Sequence, residues 1–288
     1  MRQIGSVQSI WRYPVKGMAG ESIAQCSIDA KGIQGDRCYA VRDRLRNEIQ
    51  SCKFRPPLLR CIARYTNQPR SAEQAVLSIL FPDGSERGAD APDLDSKLSA
   101  LLGHESTLEA LHETQGLDAF RRYKTDKQHL LDELTATFAR ESGEAGPDFS
   151  QPTDEFLSFV TVPGSYFLVS PLHIISSASL AYGKRLLPTA DWDCRRFRPN
   201  LVIETLSEYS GLVEQQWLGK HLHIGTAQIF CNSSAIRCGA VTREQQGLPF
   251  DKGILRSIVK DTDQNLGIYG DITGSAQLHV GDPVFLVD

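Results

Sequence analysis

Apolar residues recur along this chain at short intervals and seldom hold a helical period for long. Ile4, Val7 and Ile10 open a strand that ends at the turn Tyr13-Pro14-Val15-Lys16-Gly17. Ala24, Cys26 and Ile28 alternate with polar residues, the period of a half-buried strand. Lys31-Gly32-Ile33-Gln34-Gly35-Asp36 reads as a turn whose glycines accept positive φ. A strand resumes over 37–42, with Tyr39 and Val41 on one face, and the chain reverses again over 43–47. After Pro56-Pro57 it becomes strand-like over 59–65, and a compact apolar strand over 76–81 ends at Pro82-Asp83-Gly84. Leu94, Leu98, Leu101 and Leu102 have helical spacing, which Gly103 stops.

Leu130, Leu131, Leu134 and Phe138 predict an amphipathic helix, followed by a surface loop over 141–147. Strand pattern returns over 166–169, ahead of Ser170-Pro171. A helix over 176–187 follows, with Ser176 as its N-cap. Leu201-Val202-Ile203 is an apolar strand, Leu222 and Ile224 alternate with His221 and His223, and a helix over 253–259 precedes short strands to Val287. Short strands punctuated by turns, with few helices, imply a β-rich α+β fold of barrel-like sheets and peripheral helices. A boundary near residue 120 divides it into 1–120 and 121–288.

Composition narrows the partners. With 288 residues the chain has room for a large core and one or two domains. Its 31 basic and 35 acidic residues give a net charge of −4, which argues against nucleic acid as a partner. No stretch reaches the ~20 apolar residues of a membrane span, and the first residues lack the apolar run of a signal peptide. The seven cysteines are odd in number and form no Cys-x-x-Cys pair, which disfavours a zinc ribbon or a thioredoxin-type motif. Free thiols point to a reducing, cytoplasmic setting.

Basic residues are nevertheless clustered, at Arg42, Arg44 and Arg46 and again at Arg195, Arg196 and Arg198. Local clusters on an acidic chain suit a small anionic ligand better than a polyanion. Arginines beside the buried-looking strand 201–203 are exposed or bound to an anion, since burial without a partner is costly. Arginine's planar fork suits phosphate, and Asn200 has both donor and acceptor for the edge of a heterocycle. Lys16 and Arg37 lie beside Gly17 and Gly35, where backbone amides can approach a ligand. Cys238 follows Arg237. It is either a small buried residue at a strand end or a thiolate favoured by a neighbouring cation. His221 and His223 share one side of a strand but lack a third ligand, so they read as surface residues. Ser170-Pro171 is no nucleophile elbow.

Taken together, Tyr13-Pro14-Val15-Lys16-Gly17, Gly35-Asp36-Arg37, Phe197-Arg198-Pro199-Asn200-Leu201-Val202-Ile203, Arg237-Cys238 and Val280-Gly281-Asp282-Pro283-Val284-Phe285 resemble the MOSC family. That family is named for the C-terminal domain of molybdenum cofactor sulfurases. The similarity is strongest to members with an added N-terminal β-barrel module, such as amidoxime-reducing components of mitochondria and their bacterial relatives. It spans nearly the whole chain and is weakest over an insert near 125–155.

The resemblance implies the molybdenum cofactor, a mononuclear molybdenum on a pyranopterin dithiolene. Cys238 would be the protein's ligand to the metal and the centre of catalysis. Lys16, Arg37, Arg198 and Asn200 would hold pterin and phosphate, with Arg237, Ser170 and Tyr269 as further contacts. Gly17 and Ile236 stand where the family's reductases carry hydroxyl residues, and Val169 where threonine is expected; only backbone contacts can serve at these positions. The implied activity is reduction of N-hydroxylated or related N-oxygenated compounds. The alternative is a carrier of cofactor or of sulfur as a cysteine persulfide. No iron–sulfur or dinucleotide motif is present, and the resemblance runs to Asp288, so a separate ferredoxin- or flavin-type redox protein is expected to supply electrons.

Overall fold

Alternating aliphatic residues give the chain its architecture, which a computed structural model describes for residues 1–67, 76–124, 132–133, 135–141, 143–144 and 158–287. The first ten strands are β1 (Arg2–Arg12), β2 (Glu21–Ile23), β3 (Gln25–Asp29), β4 (Gly32–Ile33), β5 (Tyr39–Asp43), β6 (Glu48–Ile49), β7 (Ile62–Tyr65), β8 (Leu77–Leu80), β9 (Glu86–Gly88) and β10 (Ser106–Ala110). The later ones are β11 (Leu172–Ser176), β12 (Leu201–Thr205), β13 (His221–Ile224), β14 (Ala227–Ile236), β15 (Asn265–Thr273), β16 (Ala276–His279) and β17 (Pro283–Val287). Among the described residues the longer helices are α1 (Leu94–Leu102), α2 (Ser177–Leu186) and α3 (Lys252–Asp261).

Seven strands close into a barrel in the order β1, β12, β11, β15, β14, β13, β17 and back to β1. The fold is therefore β-rich, with helices at its edge. Ile4, Ile10, Ile174, Leu201, Ile203, Leu222, Ile229 and Ile268 fill the interior. Each such side chain contributes about 1.5–3 kcal/mol by leaving water. Ile4, Val7 and Ile10 are three residues apart, a spacing that a regular strand would place on alternate faces. Register shifts at 3/5 and at 7/9 insert extra residues and bring all three inward.

β11 and β12 are parallel and joined through α2, whose N-cap Ser176 accepts a hydrogen bond from Ser179 N at 3.0 Å. Leu201 and Ile203 face the barrel interior. Val202 faces a second apolar layer with Ile175, Phe197, Ile254 and Ile258, so β12 is buried on both sides. Around the barrel lie three small sheets, β10-β5-β6, β7-β8-β9 and β16-β3-β4. The cluster of Val15, Met18, Val41, Leu58, Leu77, Ile79, Leu94 and Leu98 holds the first part together. α1 stops at Gly103, whose φ of 76° breaks the helix.

Three expectations change. Residues 166–169 form no strand. They are folded back by turn bonds from Ser165 N to Val162 O and from Val162 N to Phe167 O, leaving Leu168 and Val169 exposed. Residues 56–60 form a 3-10 turn, since Pro56-Pro57 fix the backbone of its start; the strand begins only at Ile62. Arg37 lies before its strand, at a φ of 50°. Leu130, Leu131 and Leu134 of the expected helix, and most of the insert near 125–155, lie outside the described residues. No helix among the described residues is long and apolar enough to cross a membrane.

Candidate functional site

Beside the barrel lies a cavity of about 310 Å³ into which segments from both halves of the chain turn. After β1 the chain is pinned by Tyr13 N, which donates to Asp36 Oδ1 at 2.7 Å, and by Lys16 N, which donates to Tyr39 O at 2.8 Å. Gly17 follows at a φ of 83°, and a β-carbon there would lie 3.1 Å from Cys52 N. Glycine therefore lets the Cys52 backbone close over the Lys16 turn. Seven of the nine residues singled out by sequence line the cavity: Lys16, Gly17, Arg37, Ser170, Arg198, Cys238 and Tyr269.

The aromatic ring of Tyr13 sets the two arginines. The Arg198 guanidinium lies 4.3 Å from its centroid and that of Arg37 lies 5.2 Å away. Tyr13 Oη donates to Pro199 O at 3.0 Å. Arg198 also donates to Met18 O, and Arg37 pairs with Asp36. Both arginines have left-handed backbones, with φ of 56° and 50°. Such strain at non-glycine residues costs about 1–3 kcal/mol each and gathers at ligand sites.

Charge is unevenly matched here. Among the described residues, eight cationic side chains line the cavity against three carboxylates. Lys16 is buried, and its Nζ donates to Tyr166 O at 3.0 Å. Burial first, then the charge of Arg37, lowers its pKa to about 7. Burial likewise lowers the proton affinity of Lys53, Arg122 and Arg198. Such a set favours an anion.

Two thiols share the cavity. Cys238 is half-buried and caps a short 3-10 turn over 239–242. Cys52 is held neutral by burial, which the nearby Arg198 only partly offsets. Among the described residues no three His, Cys, Asp or Glu side chains converge as a metal site. A metal at these thiols would bring further ligands with it, as a pterin dithiolene does, and the phosphate of such a group meets the cations. The residues present fit the molybdenum cofactor.

Arg237 and Asn200 do not line the cavity. Arg237 Nε donates to Leu266 O at 2.7 Å and Nη1 to Phe197 O at 3.2 Å, while Nη2 donates to Leu266 O and His173 Nε2. Its guanidinium braces the wall behind Cys238. The charge of a Cys238 thiolate would be felt by Arg237 from behind and by Lys53 on the cavity side. Asn200 is buried: Oδ1 accepts from His173 N at 3.1 Å, and Nδ2 donates to Asp36 Oδ2 at 3.1 Å and Trp11 O at 3.2 Å. Ser170 Oγ donates to Gly270 O at 2.9 Å. Cys52, Lys53, Arg122 and His173 were not singled out by sequence; the basic run Lys53-Phe54-Arg55 was the available sign for the first two, and an isolated histidine in an apolar strand for the last. His221 and His223 lie on β13, away from the cavity lining.

A MOSC N-terminal beta barrel domain matches residues 4–123, and a MOSC domain matches residues 163–285. Mitochondrial amidoxime reducing component 2 of Rattus norvegicus is 25% identical over 313 residues, spanning 99% of this chain and 84% of that protein. Among solved structures, the YUAD protein of Bacillus subtilis is 9% identical with a TM-score of 0.43, over 99% of this chain and 97% of that one. YiiM of Geobacillus stearothermophilus is 17% identical with a TM-score of 0.30, over 41% of this chain and 54% of that one.

Proposed function

The chain belongs to the MOSC family, and from that premise we propose that it is a molybdenum-cofactor-binding oxidoreductase that reduces N-hydroxylated or related N-oxygenated compounds. One observation carries the reading: a cavity lined by an excess of cations, with Lys16 buried among them, that also presents the Cys238 thiol. A phosphate needs the first and a soft metal the second. Similarity to an amidoxime reducing component over nearly the whole chain supports the reaction class.

Lys16, Arg37 and Arg198 would hold the phosphate, and Cys238 would offer its thiolate to the metal. When bound, the cofactor supplies two-electron oxygen-transfer chemistry. The protein's part is to orient and to exclude water. Tyr13 fixes the two arginines, and Ser170 and Tyr269 shape one wall. Phe54, Leu168 and Val169 give the cavity an exposed apolar rim against which a substrate could lie. Electrons would come from a separate ferredoxin- or flavin-type protein.

A second reading, a carrier of cofactor or of activated sulfur as a Cys238 persulfide, is favoured by the second thiol, Cys52, in the same cavity. Molybdenum and pterin analysis of protein made in a cofactor-competent host, followed by turnover with an artificial electron donor, decides between them. The oxidoreductase reading expects one molybdenum per chain and reduction of an N-hydroxylated compound. Bound cofactor without turnover would favour the cofactor carrier, and absence of both molybdenum and pterin would overturn the oxidoreductase and the cofactor carrier alike. Absence of a persulfide on Cys238 as well, by mass spectrometry, would overturn the sulfur carrier.

A further inference from the structure

His173 touches four of the residues discussed above, and the function as stated assigns it nothing. It lies on β11 directly opposite Tyr269 of β15, with ring centroids 5.5 Å apart, and it lines the cavity. Its backbone N donates to Asn200 Oδ1 at 3.1 Å, and its carbonyl accepts from Asn200 N at 2.7 Å. Its ring is engaged at both nitrogens, Nδ1 with Arg198 O at 3.2 Å and Nε2 with Arg237 Nη2.

Those two contacts fix the proton. A carbonyl oxygen only accepts, so Nδ1 must carry hydrogen; a guanidinium only donates, so Nε2 must keep its lone pair. The opposite tautomer would lose both bonds for at most a contact with Leu266 O, which already accepts from Arg237, and an imidazolium would set two donors against each other at Nε2. Backbone packing enforces the placement. Gly267 has a φ of 84°, and a β-carbon there would lie 2.5 Å from His173 Nε2 and 3.1 Å from Arg237 Nη2. Only glycine leaves room for the pair.

We propose that His173 is a positioning residue, a neutral imidazole protonated at Nδ1 that ties the strained Arg198 turn to the Arg237 brace behind Cys238 and so sets the spacing of the cavity's anion-binding and thiol walls. The proposal rests on the anion-binding reading only for its effect on ligands; the tautomer itself does not depend on it.

Nitrogen-15 NMR of histidine-labelled protein at pH 7.5, with His173 identified by its loss in a variant, tests the tautomer directly. A protonated Nδ1 and an unprotonated Nε2 are expected; a protonated Nε2 would overturn the proposal. Calorimetric titration with inorganic phosphate tests the consequence. His173→Leu should weaken phosphate about tenfold, the loss expected when a hydrogen bond ordering a charged clamp is removed. His173→Asn keeps a donor near Nδ1 and should restore most of that affinity. His173→Gln reaches only toward Arg237 and should not. Wild-type affinity in a folded Leu variant, or equal behaviour of Asn and Gln, would overturn the proposal. Should His173→Leu fail to fold, the Asn–Gln contrast and the tautomer decide. If wild-type protein binds no phosphate at all, the anion-binding reading fails, while the NMR result still judges the imidazole link.

Discussion

The wall that carries Arg237 and the wall that carries Lys16 bury the same sign of charge in different company. Arg237 meets two backbone carbonyls and an imidazole lone pair. Arg196 is met only in part, with Nε donating to Asp191 O and Nη2 to Pro249 O, both at 2.9 Å, while its buried Nη1 has no partner among the described residues. Lys16 Nζ donates to one carbonyl, and the charges nearest it include Arg37, Arg198 and Arg122. A guanidinium whose donors are met is part of the scaffold. An ammonium among like charges is an expense that an anionic ligand would remove. Burial alone does not separate the two; the acceptors and charges around each cation do.

The largest effect should follow from Cys238→Ser. If its thiolate reaches the metal, turnover of an N-hydroxylated compound per bound molybdenum should fall about 100-fold or more. Cys231→Ser, inside the barrel, should keep most activity. Equal wild-type rates in both would remove Cys238 from the site.

Next comes a direct test of the two walls by urea unfolding of the cofactor-free protein. Arg237→Met should lose about 3 kcal/mol, because Leu266 O, Phe197 O and His173 Nε2 are left without a donor. Lys16→Met should be neutral or stabilising by about 1 kcal/mol, since it removes a charge buried among cations. Similar losses in both would break the comparison.

A smaller effect lies in pH. Lys16 titrates at about 7 in the folded protein, far below its unfolded value. The unfolded chain therefore holds the proton that the folded one gives up. Between pH 7 and 8 the lysine's contribution to stability of the ligand-free protein should rise. Sulfate, whose charge is constant there, needs that proton, so its affinity should fall over the same range by at most about tenfold per pH unit. Lys16→Met should flatten the profile, and a flat wild-type profile would sink the assignment. The smallest effect is expected from His221→Ala and His223→Ala, each within about 0.5 kcal/mol in stability and without change in metal content.

Much of this molecule was legible in its sequence. Alternation at 26 and 28, the apolar run 201–203 and the Ser176 cap rest on local rules, and local structure follows them. The turns carrying Lys16, Arg37 and Arg198 were marked by glycine, proline and charge, and they do meet at one cavity. Orientation was hidden. Nothing in the pair Arg237-Cys238 says that the guanidinium turns away toward carbonyls of 197 and 266, or that Asn200 serves Asp36 and Trp11 instead of the cavity. His173 was hidden for the opposite reason: its neighbours Leu172, Ile174 and Ile175 make it look like a core position, and its partners come from 198 and 237. The 166–169 segment misled because apolar residues here serve a turn and an exposed rim instead of a ladder.

The place of β1 in the barrel has a kinetic consequence. Residues 2–12 pair with 201–205 on one side and with 283–286 on the other, so the ring joins segments more than 190 positions apart. High contact order of this kind slows folding, because loop closure precedes the reward of pairing. During synthesis β1 would leave the ribosome long before β12 and β17, with only β2 at hand to pair residues 10–12, so most of its length stays an edge open to aggregation or to a chaperone. The cavity's cations arrive in two instalments, Lys16 and Arg37 early and Arg198 late. Anion capture should therefore appear only with the last phase of refolding, which makes it a reporter of ring closure.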